Sequence, residues 1–155
     1  MADNRGAIRV QRAERDELDV AFSLLARFFA EEGFQTAPDD LRRNLRGMLA
    51  DSSCWVALAW RGQTAMGIGT VSTVRSTEAG FLAEIQDLYV LPEGRRAGVA
   101  RALVGEAIEW SRAQGCSAVE VVITPEGEAS HSLSQLYAKL AFQPTYRTIH
   151  SRELI

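Results

Sequence analysis

The stretch from Leu91 to Arg101 reads Leu-Pro-Glu-Gly-Arg-Arg-Ala-Gly-Val-Ala-Arg, a sequence that could hold a phosphate. Gly98 lets the backbone approach a ligand closely. If a helix opens at Val99, its first N–H groups lack intrahelical partners. Those groups and the helix dipole then make a seat for phosphate oxygens. Arg95 and Arg96 place positive charge beside it. The stretch has neither the Gly-Lys-Ser/Thr of a P-loop nor the three glycines of a dinucleotide fingerprint. A plain strand-to-helix turn with solvated arginines fits the same residues.

Three further side chains could move protons. Glu84 and Asp87 interrupt an otherwise apolar run, Phe81 to Leu91. Such carboxylates are commonly solvated or ion-paired. If the run is a strand, residues three apart point to opposite faces. Tyr137, with an ordinary pKa of about 10, is protonated at neutral pH and can donate a proton. It can equally pack on a helix face with Leu133 and Leu140. Glu31, Glu32, Asp39 and Asp40 form a weaker acidic group, with helix-end charge as their ordinary role.

These residues need a frame. Ile8 to Gln11 reads as a short strand. Asp16 can cap a helix running to about Glu32, with Leu18, Phe22, Leu25 and Phe29 on one buried face and Gly33 as its stop. Pro38 starts a second helix with Leu41, Leu45, Met48 and Leu49 inward. The period then changes. Cys54 to Trp60, Met66 to Val74 and Phe81 to Leu91 read as strands, with turns at Arg61-Gly62 and Ala79-Gly80. A helix is expected from Val99 to Gln114, stopped by Gly115. A strand follows over Ala118 to Thr124 and a short helix over Ser132 to Leu140. Thr145 to Leu154 is expected to form the last strand or two. Phe81 to Thr124 is then a strand-helix-strand unit with a parallel pair and a right-handed crossover. The fold class is α/β: one domain over residues 1–155, a mixed, mostly antiparallel sheet with helices on both faces.

Three segments carry a resemblance. Arg95-Arg96-Ala97-Gly98-Val99-Ala100 matches the Gln/Arg-x-x-Gly-x-Gly/Ala pattern of the GNAT superfamily of N-acetyltransferases. Ile85-Gln86-Asp87-Leu88-Tyr89-Val90 looks like that family's fourth strand. Leu136-Tyr137-Ala138-Lys139-Leu140-Ala141-Phe142 resembles its Leu-Tyr-x-Lys-Leu-Gly-Phe segment. The order of elements is similar over nearly the whole chain. Two positions depart: Ala141 replaces the usual glycine, and Ser130 stands where many members carry an asparagine near the cofactor.

The resemblance implies acetyl-CoA as co-substrate, with its pyrophosphate on Arg95, Arg96, Ala97, Gly98, Val99, Ala100 and Arg101. It implies that Leu88, Tyr89 and Val90 line the cofactor, Leu88 and Val90 acting through backbone groups that pair with the pantetheine arm. Ser130 is implied to lie nearby. Tyr137 would be the acid that protonates the leaving thiolate. Glu84 stands at the separation from Arg95 seen for the glutamate base of histone-type members. Asp87 matches an aspartate of the polyamine and thialysine branch, with Gln86 in place of that branch's glutamate. The base could be Glu84, Asp87 or a water chain. The loop flanked by Glu31, Glu32, Asp39 and Asp40 would border the acceptor. The expected acceptor is a small cationic amine: a polyamine, amino acid or aminoglycoside. The alternatives are a protein N-terminus or lysine, or a coenzyme A-binding module without turnover. Exchange of the terminal segment between copies would give a homodimer.

Composition bounds the remaining classes. The 155 residues fit one ordinary globular domain, at 46% hydrophobic and 24% charged. A net charge of -3 and a pI near 5.4 argue against nucleic acid as partner. No apolar run suits a membrane span, and Met1 to Gly6 lack a signal-peptide core, so the cytoplasm is the expected location. Cys54 and Cys116 have no metal-ligand spacing and read as reduced thiols. His131 and His150 are the only histidines, and no metal is expected.

Overall fold

The computed structural model describes residues 6–155. The chain divides into two compact units, Met1–Val122 and Ile123–Ile155.

The first unit is built on a five-stranded sheet in the order β1-β2-β3-β4-β5. These strands are β1 (Ile8–Arg12), β2 (Cys54–Arg61), β3 (Thr64–Ser76), β4 (Gly80–Val90) and β5 (Ala118–Val121). The first four are antiparallel neighbours. Only β4 and β5 run parallel, because a helix lies between them in sequence. That helix is α3 (Val99–Ala113), while α1 (Leu18–Glu32) and α2 (Pro38–Ala50) sit between β1 and β2 in the chain. The mixed sheet expected from the sequence is what the chain forms.

Alternation along β3 decides which helix covers which face. Ile68 joins a core of Ala21, Leu24, Leu25, Leu41 and Leu45 from α1 and α2. Gly67 and Gly69 point the other way, against α3. A Cβ on Gly67 would lie 3.1 Å from Val99 and 3.2 Å from Leu103. The small side chain lets α3 sit close to the sheet, and Val99, Leu103, Val104 and Ala107 are buried there. Helices therefore cover both faces.

Helix limits follow local chemistry. Gly33 closes α1 at φ 73°, its N–H bonded to the carbonyl of Phe29, a conformation that favours glycine. Pro38 occupies the first turn of α2, where its missing N–H costs nothing. Asp16 does not cap α1. It lies inside a three-residue 3-10 turn, Arg15–Glu17, in which the Glu17 carboxylate accepts from the N–H of Glu14 at 2.8 Å. That reciprocal cap belongs to the 3-10 turn; the α-helix follows at Leu18 with Glu17 as its N-cap and no side-chain cap bond.

The second unit holds α4 (Pro125–His131) and α5 (Leu133–Lys139). Only the later helix is evident in the sequence pattern. Thr124 caps α4 by accepting from the N–H of Gly127 at 3.0 Å, and Ser132 separates the helices at φ 50°. The strands expected over Thr145 to Leu154 are not present; residues 143–155 carry no regular element. An extended segment becomes a strand only when a ladder partner takes its backbone groups.

Candidate active site

β4 is the central element. Its pairing with β5 runs from Leu82–Ala118 to Ile85–Val121 and stops, while β4 continues to Val90. Its edge from Gln86 to Val90 therefore has no β5 ladder. The N–H of Leu91 donates to the carbonyl of Met66 at 2.8 Å, which directs residue 91 toward β3. By alternation, the backbone groups of Tyr89 also face β3 and those of Leu88 and Val90 face the open edge. A Cβ on Gly67 of β3 would come within 2.7 Å of the Tyr89 carbonyl oxygen, as this orientation requires. The two residues singled out for backbone contact, Leu88 and Val90, thus turn their backbone to that side, where the Val90 carbonyl accepts from Arg95 Nε at 3.1 Å. Tyr89 does not turn there.

The carboxylates depart from the simple alternation expected of them. Thr70 pairs with Asp87, Val71 with Ile85 and Ser72 with Glu84. Gln86 is therefore an extra residue in β4, a bulge that opposes no single partner. Thr70 and Ser72 are two apart on an unbroken strand and share a face, so Asp87 and Glu84 share it too. The expectation of opposite faces fails because one inserted residue resets the alternation. Thr70 is two residues from Ile68, so this common face is the one covered by α1 and α2.

Asp87 is largely withdrawn from water, and burial raises its pKa above the usual carboxylate value of 3.8. The Thr70 hydroxyl, which donates to Oδ2 at 2.5 Å, pulls weakly the other way. Desolvation makes this carboxylate a better proton acceptor than an exposed one.

Past β4, Pro92–Gly94 forms a 3-10 turn. Arg96 follows at φ 62° and Gly98 at φ 82° as N-cap of α3, with no side-chain cap. The first α3 bond of this kind is from Ala102 N–H to the Gly98 carbonyl, 3.0 Å. The N–H groups of Val99, Ala100 and Arg101 are thus left to face outward at the helix head, as in an anion seat. No atom would lie within 4 Å of a Cβ on Gly98, so the space above it is open. Arg96, Ala97 and Gly98 are exposed.

Arg95 does something the sequence does not suggest. Its Nη2 donates to Glu31 Oε2 at 2.9 Å and its Nε to the Val90 carbonyl at 3.1 Å. The hydroxyl of Tyr89 donates to the other oxygen, Glu31 Oε1, at 2.6 Å. The Tyr89 ring stacks on Phe28 of α1 with centroids 5.4 Å apart. The bond from Tyr89 does most to hold the Glu31 carboxyl below its usual pKa. The expected place of Glu31 is the acceptor border, but both its oxygens are committed to this cluster. Asp40 is likewise paired, with Arg43 at 2.5 Å. No sequence signal marks the cluster, since its members lie 58 and 64 residues apart.

In the second unit, Tyr137 is buried and its ring meets Phe142 edge-on at 5.2 Å. Burial pushes its phenol up to about 12, so it stays protonated across the neutral range. Phe142 reaches the ring because Ala141 takes φ 67°, the conformation that a glycine there would adopt freely. The N–H of Phe142 then returns to the Tyr137 carbonyl at 2.9 Å. Ser130 lies exposed near the end of α4.

A mixed sheet with one parallel crossover, a bulged central strand with a bare edge, and an uncapped glycine-headed helix define an α/β fold of the acetyltransferase class. The sequence profile of the Acetyltransferase (GNAT) family matches residues 18–142, and the chain belongs to that family. An aminoglycoside N(6')-acetyltransferase type 1 from Acinetobacter genomosp. 13 is 29% identical over 82 residues, 53% of this chain and 54% of that enzyme. The match thus spans about half the length of that relative. The enzyme of the same name from Serratia marcescens is 26% identical over 125 residues, covering 77% of this chain and 83% of its own. Among solved structures, the aminoglycoside N-acetyltransferase AAC(6')-Iy in complex with CoA superposes with a TM-score of 0.84 at 18% identity, covering 100% of both chains. That likeness establishes the fold.

Proposed function

We propose that the protein is an N-acetyltransferase that moves the acetyl group of acetyl-CoA to a primary amine of a small cationic acceptor of the aminoglycoside kind. The observation that carries this reading is the bulge at Gln86, which gathers Asp87 and Glu84 on one face of β4 beside that strand's bare edge. One strand can then offer backbone to the pantetheine arm and carboxylates to the amine. The names of the relatives favour an aminoglycoside over a polyamine or an amino acid.

In this reading the diphosphate rests on the head of α3. Asp87, whose pKa is raised, or Glu84 accepts a proton from the acceptor ammonium, directly or through water. The freed amine attacks the thioester carbonyl, and a backbone N–H at the bare edge of β4 faces the oxygen as it gains charge. The C–S bond breaks, the acetyl group stays on nitrogen, the Tyr137 phenol gives its proton to the departing thiolate, and the surplus proton shed by the acylated nitrogen restores the phenol. The free thiols of Cys54 and Cys116 fit a reducing, cytoplasmic setting. Among the described residues no helix is long and apolar enough to cross a membrane.

Thiol release from acetyl-CoA, followed with a panel of aminoglycosides, polyamines, amino acids and N-terminal peptides, tests the proposal. Aminoglycosides should be turned over fastest. Faster turnover of neutral peptides would move the acceptor to protein N-termini, and release with none of the amines would leave a coenzyme-binding module.

A further inference from the structure

We infer that Glu31 is a positioning residue for the cofactor turn. It holds Arg95 and Tyr89 in place, so that Arg96 and the head of α3, not Arg95, receive the diphosphate. The inference rests on the reading of this turn as a coenzyme A site. One carboxylate here joins three elements: the last turn of α1, the end of β4 through the Tyr89 hydroxyl, and the turn itself through Arg95. The Arg95 guanidinium is further tied to the carbonyl of Val90 and lies 5.9 Å from the centre of the Tyr89 ring. An arginine engaged on three sides acts as a strut. The next residue, Arg96, is held at φ 62°, a conformation that is strained for a non-glycine residue and persists only when its surroundings fix it. The strut is what stands immediately before it. Release of Arg95 would let Arg96 relax and the N–H groups of the turn lose their common direction. Arg96 itself is exposed beside Gly98 and is the charge next to the seat.

Coenzyme A titrations by calorimetry at low and high salt test this with the variants E31Q, R95Q, R96Q and the E31Q/R95Q pair. E31Q and R95Q should each weaken binding by about three- to tenfold, the scale of a partly exposed charge-assisted bond, with salt dependence unchanged. The double variant should be no weaker than either single one, because both break one strut. R96Q should weaken binding and also flatten its salt dependence. In turnover, E31Q should raise KM for acetyl-CoA and leave kcat unchanged. R95Q that flattens the salt dependence as R96Q does would make Arg95 a phosphate ligand and overturn the inference. Tighter binding by E31Q would also overturn it, since Glu31 would then only compete for Arg95. The Arg95 and Arg96 side chains are exposed, so their variants fold and decide the question even if E31Q does not. A parent protein that binds no coenzyme A would instead refute the functional reading beneath it.

Discussion

At the scale of single residues, environment sets the chemistry of two groups. The Tyr137 phenol, pushed up to about 12 by burial, can serve only as an acid near neutrality. Tyr137→Phe should lower kcat by ~100-fold with KM for acetyl-CoA little changed, because the hydroxyl acts in the transition state. Steady-state kinetics under conditions where chemistry limits the rate would show it; unchanged kcat would return the residue to packing alone. The raised pKa also has a stability consequence. The phenol's contribution is fully present below pH 10 and is lost as pH rises through about 12. Asp87 is the second case. Its pKa is raised by burial, so the native state favours the protonated form. Stability is therefore lost as pH rises through the folded-state value, and the ionised carboxylate weakens the fold at neutral pH. Asp87→Asn should melt at or above the parent temperature at pH 7, with the difference fading as pH falls toward 3.8, the value for the unfolded chain. The same variant should raise KM for the amine and leave acetyl-CoA affinity intact. A variant that melts lower at pH 7 and retains the parent KM for the amine would remove Asp87 from the site.

At the scale of elements, α3 packs closely on β3, and the turn proposed to hold the diphosphate leads into that helix. Gly67 makes that contact possible, since a Cβ there would meet the Tyr89 carbonyl oxygen at 2.7 Å, a backbone atom that cannot step aside. Gly67→Val should destabilise the protein by about 1–3 kcal/mol, the range for overpacking a filled core. Denaturant titration gives that number, and a loss under ~0.5 kcal/mol would mean that α3 can shift on the sheet at little cost. The helix pattern of α3 is plain from Leu103, Val104, Ala107 and Ile108, of which the first three are buried and Ile108 is half-buried. The close approach is not plain, because a glycine in a strand looks the same whether a helix or a turn lies above it.

At the scale of the whole molecule, residues 143–155 carry no regular element. Tyr146, Ile149, Leu154 and Ile155 are 93%, 69%, 94% and 116% exposed, an unusual concentration of bare apolar side chains. In the homodimer expected from the resemblance, a second copy would cover them. Sedimentation at micromolar concentration should give a dimer, and truncation after Gln143 should give a monomer. A full-length chain that sediments only as a monomer would end this expectation. The strands expected here fail for the same reason that the apolar residues stay bare. Thr145 to Leu154 has a strand's composition, but a strand also needs a neighbour.

By itself the sequence determined whatever depends on local chemistry. Gly33 stops a helix, Pro38 opens one, and the apolar periods divide Ile8 to Val121 into the helices and strands observed there, while the helix Pro125–His131 and the lack of a terminal strand were not legible. The Arg95 to Ala100 segment and Tyr137 carried the family through motifs that are contiguous in the chain. Only the tertiary structure decided the face shared by Glu84 and Asp87 and the commitment of Glu31 to Tyr89 and Arg95. The first turns on register, a relation between two strands, and one extra residue at Gln86 leaves no mark on composition or period. The second joins residues 58 and 64 positions apart. Their meeting depends on how α1 packs across the sheet, which is settled by the sum of many apolar contacts and by no residue alone.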